Sequence, residues 1–242
     1  MSITSEKYHR FLHEVRNVYF DIMHSHKKGT LNENELSSTY RTTLSAILDK
    51  LCDIVESFTG RKVSACIKLI SYSEDEEVIN VDNAKLITFC RSTNSDTGRG
   101  AYEEEAKEIL LKENTDFLDI VSSETAKNYF YQGNLESYRK KLEAVGKSYN
   151  NTNKNWSKFY KGTIVVPIQI KCKRLYHQKR DKAWHIIGFL CVDSLSKDAF
   201  VEKQERFNVD ILRSYADAIY ILLGQYRHYL KKLTTPDKTN AV

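Results

Sequence analysis

Two apolar segments near the C-terminus, separated by a basic loop, constrain the fold of this chain more than any other feature. The first runs from Thr163 to Ile170 and contains one proline; the second runs from His185 to Asp193. Short apolar runs bounded by polar residues are typical of strands, and we expect the two to pair as an antiparallel hairpin. An amphipathic helix follows, from about Gln204 to Leu233, with apolar residues three and four positions apart.

The N-terminal part of the chain predicts two more amphipathic helices. Apolar residues recur at helical spacing from Ser5 to Lys27. The second helix begins near Asn32, which stands three residues before Glu35 in the spacing of a capping box. Gly60 is the expected end of that helix, because glycine accepts the left-handed conformation common after helix C-termini.

Between these helices and the hairpin the pattern is mixed. From Lys62 to Leu69 apolar and polar residues alternate, which predicts a half-buried strand, and a second strand is expected from Lys85 to Arg91. Pro167 cannot donate a hydrogen bond to a neighbouring strand, so it predicts a bulge or an edge position in the hairpin. The middle segments are predicted as a helix over 102–111, a short strand within 114–121, and short helices over 123–130 and 134–145.

Composition places the chain among globular proteins of a reducing compartment. Of its 242 residues 41% are hydrophobic and 29% charged, and there are only 2 prolines and 9 glycines. Five cysteines without paired spacing are typical of free thiols, and neither a signal core nor an apolar run of about 20 residues is present. We therefore expect a cytoplasmic protein without membrane contact. The expected organisation is a helical extension over 1–33, one domain over 34–233 and a flexible tail over 234–242.

The segments Tyr160 to Pro167 and Gly188 to Asp193, in this order of elements, resemble the second half of a GAF domain. The resemblance covers about residues 34–228 and is strongest to bacterial stand-alone members; Glu113 to Phe117, leading into Tyr129 to Tyr131, resembles their middle region. It implies an α+β fold of the GAF/PAS type: an antiparallel sheet with helices on one face and a ligand pocket under the middle segment. The terminal amphipathic helices are expected to form a bundle.

The well-known activities of the GAF fold are not supported by the sequence. The Asn-Lys-Phe-Asp-Glu set of cyclic-nucleotide-binding members is absent, and no cysteine is followed by the histidine that bilin-attaching members commonly carry. Free methionine sulfoxide reductases of this fold use grouped cysteines in the middle region, where residues 91–171 hold none. No cofactor can be named, and the ligand stays unidentified.

The resemblance nevertheless places a pocket beside aromatic side chains of the middle region. Aromatic walls with a few polar groups suit small ligands, and Arg91 at a strand end could bind an anion through its planar guanidinium. The candidate ligand-binding residues are Phe89, Arg91, Phe117, Tyr129, Tyr131, Trp156 and Tyr160. The alternative is that the aromatic residues close a small core and that Arg91 pairs with nearby acids.

Two pairs of residues suggest further chemistry. The resemblance makes Cys66 and Cys191 neighbours on adjacent strands, so they are a possible redox pair; the alternative is two buried free thiols. His9 and His13 stand four apart on the first helix, but no third ligand at matching spacing completes a metal site, and none is expected.

The hairpin loop over 171–182 is the most basic part of the chain. Its charged candidates for contact with an anion or a nucleic acid are Lys173, Arg174, Lys179 and Arg180. Such a loop could bind phosphates, but solvated charge at a hairpin tip is the alternative. Because the formal net charge is only +5 and the bases do not form a continuous face, nucleic acid is not the expected partner.

These patterns predict a GAF-like small-molecule sensing module that signals through its terminal helices to a separate output protein. We expect a homodimer paired through those helices, because their apolar stripes exceed what one small sheet covers. One alternative is an enzyme or redox sensor that uses the pocket with Cys66 and Cys191, although no phosphate loop, nucleophile elbow or zinc-protease motif occurs. The other is a nucleic-acid-binding module acting through the loop 171–182.

Overall fold

The computed structural model describes residues 3–27, 32–71, 80–95, 108–122, 128–171 and 184–234. Within these ranges the helices are α1 (Ile3–Lys27), α2 (Glu33–Thr59), α3 (Thr115–Val121), α4 (Leu135–Ala144), α5 (Trp156–Phe159) and α6 (Glu205–Thr234). The strands are β1 (Ser64–Ser71), β2 (Lys85–Arg91), β3 (Ile109–Leu110), β4 (Phe130–Gln132), β5 (Gly162–Lys171) and β6 (Trp184–Ser194). Short 3-10 turns lie at Leu111–Glu113 and Glu202–Gln204.

The six strands form one sheet in the order β3-β2-β1-β6-β5-β4 with antiparallel pairing throughout. The predicted hairpin is confirmed: β5 and β6 pair from Gly162 with Ser194 to Lys171 with Trp184. The predicted α+β class with an antiparallel sheet is thereby confirmed.

Pro167 meets both conditions expected of a proline within a strand. The short strand β4 pairs only with residues 163–165 of β5, so Pro167 lies beyond its end. The register of β5 against β6 also shifts between Ile168 and Gln169, immediately after the proline. The missing backbone donor therefore leaves no gap in the hydrogen bonding of β4.

One face of the sheet is covered by the three long helices. Helices α2 and α6 pack on the strands, and α1 packs on α2 and α6. The capping box of Asn32 and Glu35 and the left-handed Gly60 fix the two ends of α2 as predicted. This helix-facing core is apolar, and Phe11 of α1 belongs to it together with residues of the sheet. Its largest fully buried side chains include Tyr40, Tyr215, Phe11, Leu48 and Ile67.

The opposite face of the sheet carries a smaller core under the middle of the chain. It contains Cys66, Phe117, Phe130 and Phe189, with the partly buried Trp156 and Tyr160 against it. Strand β1 was predicted to be half-buried; instead its second face is also covered, since Cys66 is 3% exposed.

The middle segments differ from the prediction in secondary structure. Residues 109–110 form a strand and 111–113 a 3-10 turn instead of helix, whereas 115–121 form helix α3 instead of a strand. Phe117 and Ile120 are both buried on one side of α3, which is helical spacing that a seven-residue segment shows only weakly. Phe130 lies in β4 and not in a helix; helix α4, capped by Asn134, is confirmed. The segments 102–107 and 123–127 lie outside the described residues.

The apolar stripes of the long helices are largely used within one chain. Phe11 stacks on Tyr215 with ring centroids 3.6 Å apart, and the Gln225 amide donates to the carbonyl of Tyr19. Much of the apolar surface from which a dimer was expected is thus covered internally. In the described parts of the chain, no helix has both the length and the apolarity needed to cross a membrane.

Candidate functional site

A cavity of about 340 Å³ lies between the sheet and the middle of the chain. Its floor consists of side chains from β1, β2, β5 and β6, and its walls come from residues 109–117 and 151–160. This is the face opposite the long helices. A volume at the small end of the range for ligand pockets suits a small metabolite.

Two cysteines stand side by side in the floor. Cys66 of β1 and Cys191 of β6 are direct partners in the antiparallel register, and both line the cavity. Their exposed fractions are 3% and 4%. A hydrogen bond from the Cys191 thiol lowers the pKa of Cys66, while the same bond raises the pKa of Cys191. Among the two ionised forms of the pair, the Cys66 thiolate is therefore favoured.

A carboxyl group is buried in the wall above the floor. Asp116 lies in the first turn of α3, and one of its oxygens accepts from the backbone N–H of Phe117 at 3.1 Å. Burial, and then the negative charge of Asp193, raises the pKa of Asp116 to about 7; the backbone hydrogen bond and Lys68 oppose the shift. This carboxyl group can therefore exchange a proton near neutral pH.

The remaining floor is polar at both ends. The Asp193 carboxylate accepts from the Thr163 hydroxyl at 2.6 Å, and the Lys68 ammonium donates to the Thr88 hydroxyl at 3.0 Å. All four side chains line the cavity, as does Arg91. With Asp116 and Lys154 also in the lining, the cavity combines two carboxyl groups, three basic groups and hydroxyls in one space.

A bulge in β2 decides which of its side chains reach the cavity. Lys68 pairs with Thr88 but the preceding Ile67 pairs with Cys90, so Phe89 is the extra residue. As a result Phe89 and Cys90 both contribute to the helix-facing core, whereas Arg91 returns to the cavity side. Bulges commonly redirect side chains in this way.

The cavity wall is held together by polar bonds between two segments. The Asn114 amide donates to the carbonyl of Leu110 and to the Thr152 hydroxyl, and its oxygen accepts from the backbone N–H of Thr152. Thr115 and Asn150 add two more hydrogen bonds. The backbone N–H of Thr115 donates to the Asn150 carbonyl, and the backbone N–H of Asn150 donates to the Thr115 hydroxyl. The segment 150–152 is thus tied to the start of α3.

Of the seven candidate ligand-binding residues, three line the cavity: Arg91, Phe117 and Tyr160. The Tyr160 hydroxyl accepts from the Asn151 amide at 2.7 Å, which fixes it in the wall. Trp156 is outside the lining and packs on Tyr149, with ring centroids 5.3 Å apart.

The other three candidates contact groups on the helix side of the sheet. Phe89 lies under the guanidinium of Arg41, and the Tyr129 hydroxyl donates to Glu205 at the start of α6. The Tyr131 hydroxyl donates to the carbonyl of Val201 and accepts from the Asn208 amide. The aromatic residues predicted to surround one pocket are therefore divided between the two faces of the sheet.

Several cavity residues were not among the candidates: Lys68, Asn114, Asp116, Thr163 and Asp193. Asp116 belongs to an acidic stretch that reads as solvated charge, and α3 was predicted as a strand. Asp193 stands two residues after Cys191 near the end of the apolar strand β6, so the two side chains share one face. This alternation was the available signal that Asp193 lies in the cavity floor.

The other candidate sites are not part of this cavity. Lys173, Arg174, Lys179 and Arg180 lie outside the described residues. His9 and His13 approach each other to 3.0 Å between their Nε2 atoms. No cluster of three or more potential metal ligands occurs in the described ranges.

Comparison with known proteins gives similarity in structure only; no family model and no curated protein matches the sequence. The chain is similar to the GAF domain of the Acinetobacter phosphoenolpyruvate-protein phosphotransferase, with 13% identity over 98% of this chain and 100% of that chain and a TM-score of 0.48. It is also similar to a far-red cyanobacteriochrome photoreceptor, with 12% identity over 88% of this chain and 97% of that chain and a TM-score of 0.45. A third similar structure is a type II free methionine-R-sulfoxide reductase from Thermoplasma acidophilum. It has 14% identity over 76% of this chain and 95% of that chain, and a TM-score of 0.40.

Proposed function

We propose that this chain is a small-molecule sensing module that binds its ligand in the cavity between the sheet and residues 109–160. The supporting observation is that a buried carboxyl group, whose pKa burial raises to about 7, shares a space of about 340 Å³ with three basic side chains. Clefts in which a few polar groups converge on an apolar lining are typical of ligand sites. Perturbed pKa values cluster at such sites.

The lining favours a ligand with both a basic and an acidic or polar end. A basic or hydrogen-bond-donating group of the ligand would face Asp116, whose negative form it would stabilise. An anionic or accepting group would face Arg91 or Lys68, and the flat faces of Phe117 and Tyr160 would cover its apolar part. Binding of such a ligand would lower the pKa of Asp116 and release a proton near neutral pH.

The signal would leave the domain through α6. Tyr129 and Tyr131, on either side of Phe130 in the cavity-side core, form hydrogen bonds with Glu205 and Asn208 in the first turn of α6. A ligand that binds one arrangement of this region more tightly would shift its equilibrium. The α1–α2–α6 helices would present that change to a separate output protein.

We also propose a homodimer through the helices. The large apolar side chains that remain exposed on them include Leu12 and Phe20 of α1 and Ile221 of α6. A second copy would cover this surface, which is smaller than the sequence pattern suggests, so we expect dissociation in the micromolar range. Sedimentation of the chain over that range, beside Phe20→Ser, tests it; a monomer at every concentration overturns the dimer and leaves the cavity unaffected.

Native mass spectrometry of the freshly purified chain, followed by extraction and identification of any released molecule, tests ligand binding. We expect a small molecule retained by the wild type and lost from Asp116→Asn, which removes the charge but keeps the shape. The matched control is Asp119→Asn, one turn further along α3 and outside the cavity lining. Equal retention by both variants would contradict the site.

An enzyme is the second candidate, favoured by one observation. A carboxyl group with a pKa of about 7 is suited to general acid–base catalysis, and it shares the cavity with the cysteine pair. Incubation of the extracted molecule with fresh protein separates the two functions. Recovery of the molecule unchanged supports sensing, and its conversion by the wild type but not by Asp116→Asn supports catalysis.

Nucleic-acid binding through the loop 171–182 stays a prediction. Simultaneous replacement of Lys173, Arg174, Lys179 and Arg180 by glutamine tests it through retention on a nucleic-acid column at low salt. Unchanged retention would remove the loop as a binding site.

A further inference from the structure

Cys66 and Cys191 are placed for covalent chemistry with each other. Directly opposite residues of antiparallel strands have Cα atoms about 4.5–5.5 Å apart, whichever type of pair they form. Disulfides span Cα distances of about 4.4–6.8 Å. Because both side chains line the cavity, they project from the same face of the sheet. The Cα separation expected for such a pair therefore falls within the range of disulfides, and the two side chains need only a small approach for the sulfurs to meet.

The cavity also supplies the reactive form of the sulfur and a path to it. The hydrogen bond from Cys191, aided by the positive charges of Arg91 and Lys68, favours the Cys66 thiolate against the cost of burial. The thiolate is the form that attacks oxidants. A hydroperoxide is small compared with the cavity that both sulfurs face.

The remaining described cysteines lack this environment. Cys52 of α2 and Cys90 of β2 both belong to the helix-facing core, and neither lines the cavity. Burial raises the pKa of Cys52 to about 12, so its thiol stays protonated. The described residues thus contain two cysteines on the cavity face of the sheet and two in the helix-facing core, which can be compared directly.

We propose that Cys66 and Cys191 form a reversible disulfide, with a hydroperoxide as oxidant, and are thus a two-electron modification site inside the ligand cavity. The Cys66 thiolate attacks the terminal oxygen of the hydroperoxide. The O–O bond breaks, and the departing oxygen leaves as water or alcohol after taking a proton. The Cys66 sulfenic acid is then attacked by Cys191; its S–O bond breaks, and hydroxide leaves with the Cys191 proton as water. Two thiols are oxidised to one disulfide, and the peroxide is reduced.

The modification would report on the occupancy of the cavity, a coupling that rests on the proposed function. A bound ligand would lie over both sulfurs and exclude peroxide, while the disulfide would remove one thiol donor and one thiolate charge from the floor. Oxidation and ligand binding are then mutually exclusive. The formation of the disulfide itself needs no ligand.

The test uses the full chain carrying Cys172→Ser, because Cys172 lies outside the described residues. The protein, freed of bound molecules by dialysis, is treated with hydrogen peroxide near stoichiometric amount, blocked with an alkylating reagent and mapped by mass spectrometry. We expect loss of two free thiols per chain, a cross-linked peptide pair containing residues 66 and 191, and return of both thiols with dithiothreitol. Cys66→Ala and Cys191→Ala should give no cross-link, whereas Cys52→Ala should give it at the wild-type rate.

The inference is overturned if the unsubstituted pair keeps both thiols, or if Cys66 proceeds to sulfinic acid without cross-linking. A cross-link equally frequent at Cys52 or Cys90 would show unfolding and also overturn it. Since mapping of the chain with both cysteines present decides the outcome, an alanine variant that fails to fold does not obscure it. Ligand retention measured under dithiothreitol is independent, so failure of the disulfide leaves the sensing proposal intact.

Discussion

The two faces of the sheet are stabilised in different ways. The helix-facing side is a continuous apolar core, in which the Tyr40 hydroxyl donates to the Gln225 amide oxygen at 2.8 Å. The cavity side has a smaller core, and its wall is joined to α3 by hydrogen bonds of Asn114, Thr115 and Thr152. Apolar burial is distributed over many contacts, whereas a wall held by a few bonds can open when they break.

This difference assigns stability to one face and ligand exchange to the other. A site that must admit a small molecule needs a part of the fold with a low cost of local opening. It also needs a rigid support, which the helix-covered face of the same strands provides. The four predictions below test this division from the largest expected effect to the smallest.

Truncation on the two faces should have unequal cost. Leu48 of α2 is 0% exposed, so Leu48→Ala leaves a cavity in the helix-facing core and should lower the free energy of unfolding by about 3 kcal/mol. Ile109, partly buried in the cavity wall, should lose only about 1 kcal/mol as Ile109→Ala. Urea unfolding of both variants measures the difference. Equal losses would mean that the two faces form one cooperative core of equal density.

Asp116 should make the wild type less stable as pH rises. Its pKa is raised from 3.8 to about 7 in the fold, so the folded state binds the proton more tightly than the unfolded chain. Stability is then highest below the unfolded pKa, falls between about pH 4 and pH 7, and stays low above that. Asp116→Asn should lack this slope and be more stable than the wild type at about pH 8, because the amide never becomes a buried charge.

The control for this effect is Asp119→Asn on the same helix. Burial raises the pKa of Asp119 as well, but this side chain is exposed and accepts from the Tyr138 hydroxyl. The contribution of Asp119 to the pH dependence of stability should have the same sign and a smaller size. Asp119→Asn should therefore keep most of the wild-type slope. Urea unfolding across the pH range measures both; a slope retained in Asp116→Asn would show that another group carries it.

The contrast between the faces also explains what the sequence could reveal. Long helices and the strands β1, β2, β5 and β6 were predicted because apolar period and capping residues, such as Asn32 and Gly60, are local signals. The cavity was expected in the right region, and Arg91, Phe117 and Tyr160 do line it. These residues follow from the fold resemblance more than from their own pattern.

The rest of the site depends on features without a local signal. The extra residue in β2 puts Phe89 on the helix side and Arg91 on the cavity side, although simple alternation puts both on one face. Helix α3 is too short for its period to separate it from a strand, and its Asp116 becomes buried only through tertiary packing. Tyr129 and Tyr131 face α6 because β4 pairs with β5 in one register, and a shift by one residue would reverse them.

The helix-facing core contains a short chain of hydrogen bonds through Gln225, and its removal should lower the free energy of unfolding. The Tyr40 hydroxyl donates to the Gln225 amide oxygen, and the Gln225 amide nitrogen donates to the carbonyl of Tyr19. Gln225→Leu leaves the Tyr40 hydroxyl buried without its acceptor and should cost about 1.5 kcal/mol. The double variant Tyr40→Phe with Gln225→Leu should recover part of the loss. A double variant no better than Gln225→Leu in urea unfolding would mean that the relay is not what the leucine disrupts.

The wall bonds should control local opening with little effect on global unfolding. Asn114→Ala removes one bond donated to the carbonyl of Leu110, and one donated and one accepted bond with Thr152. We expect a loss of about 1 kcal/mol or less in global stability. Amide hydrogen exchange at Thr152 and Asn150 should nevertheless accelerate about tenfold or more. The Thr152 amide loses its acceptor, and the acceptor of the Asn150 amide, the Thr115 hydroxyl, lies on the loosened element. Asn155→Ala, at an exposed position of the same segment, is the control and should leave both rates unchanged. If Leu48→Ala accelerated these two amides more than Asn114→Ala does, the wall would open only with the helix-facing core, and the two faces would not be independent.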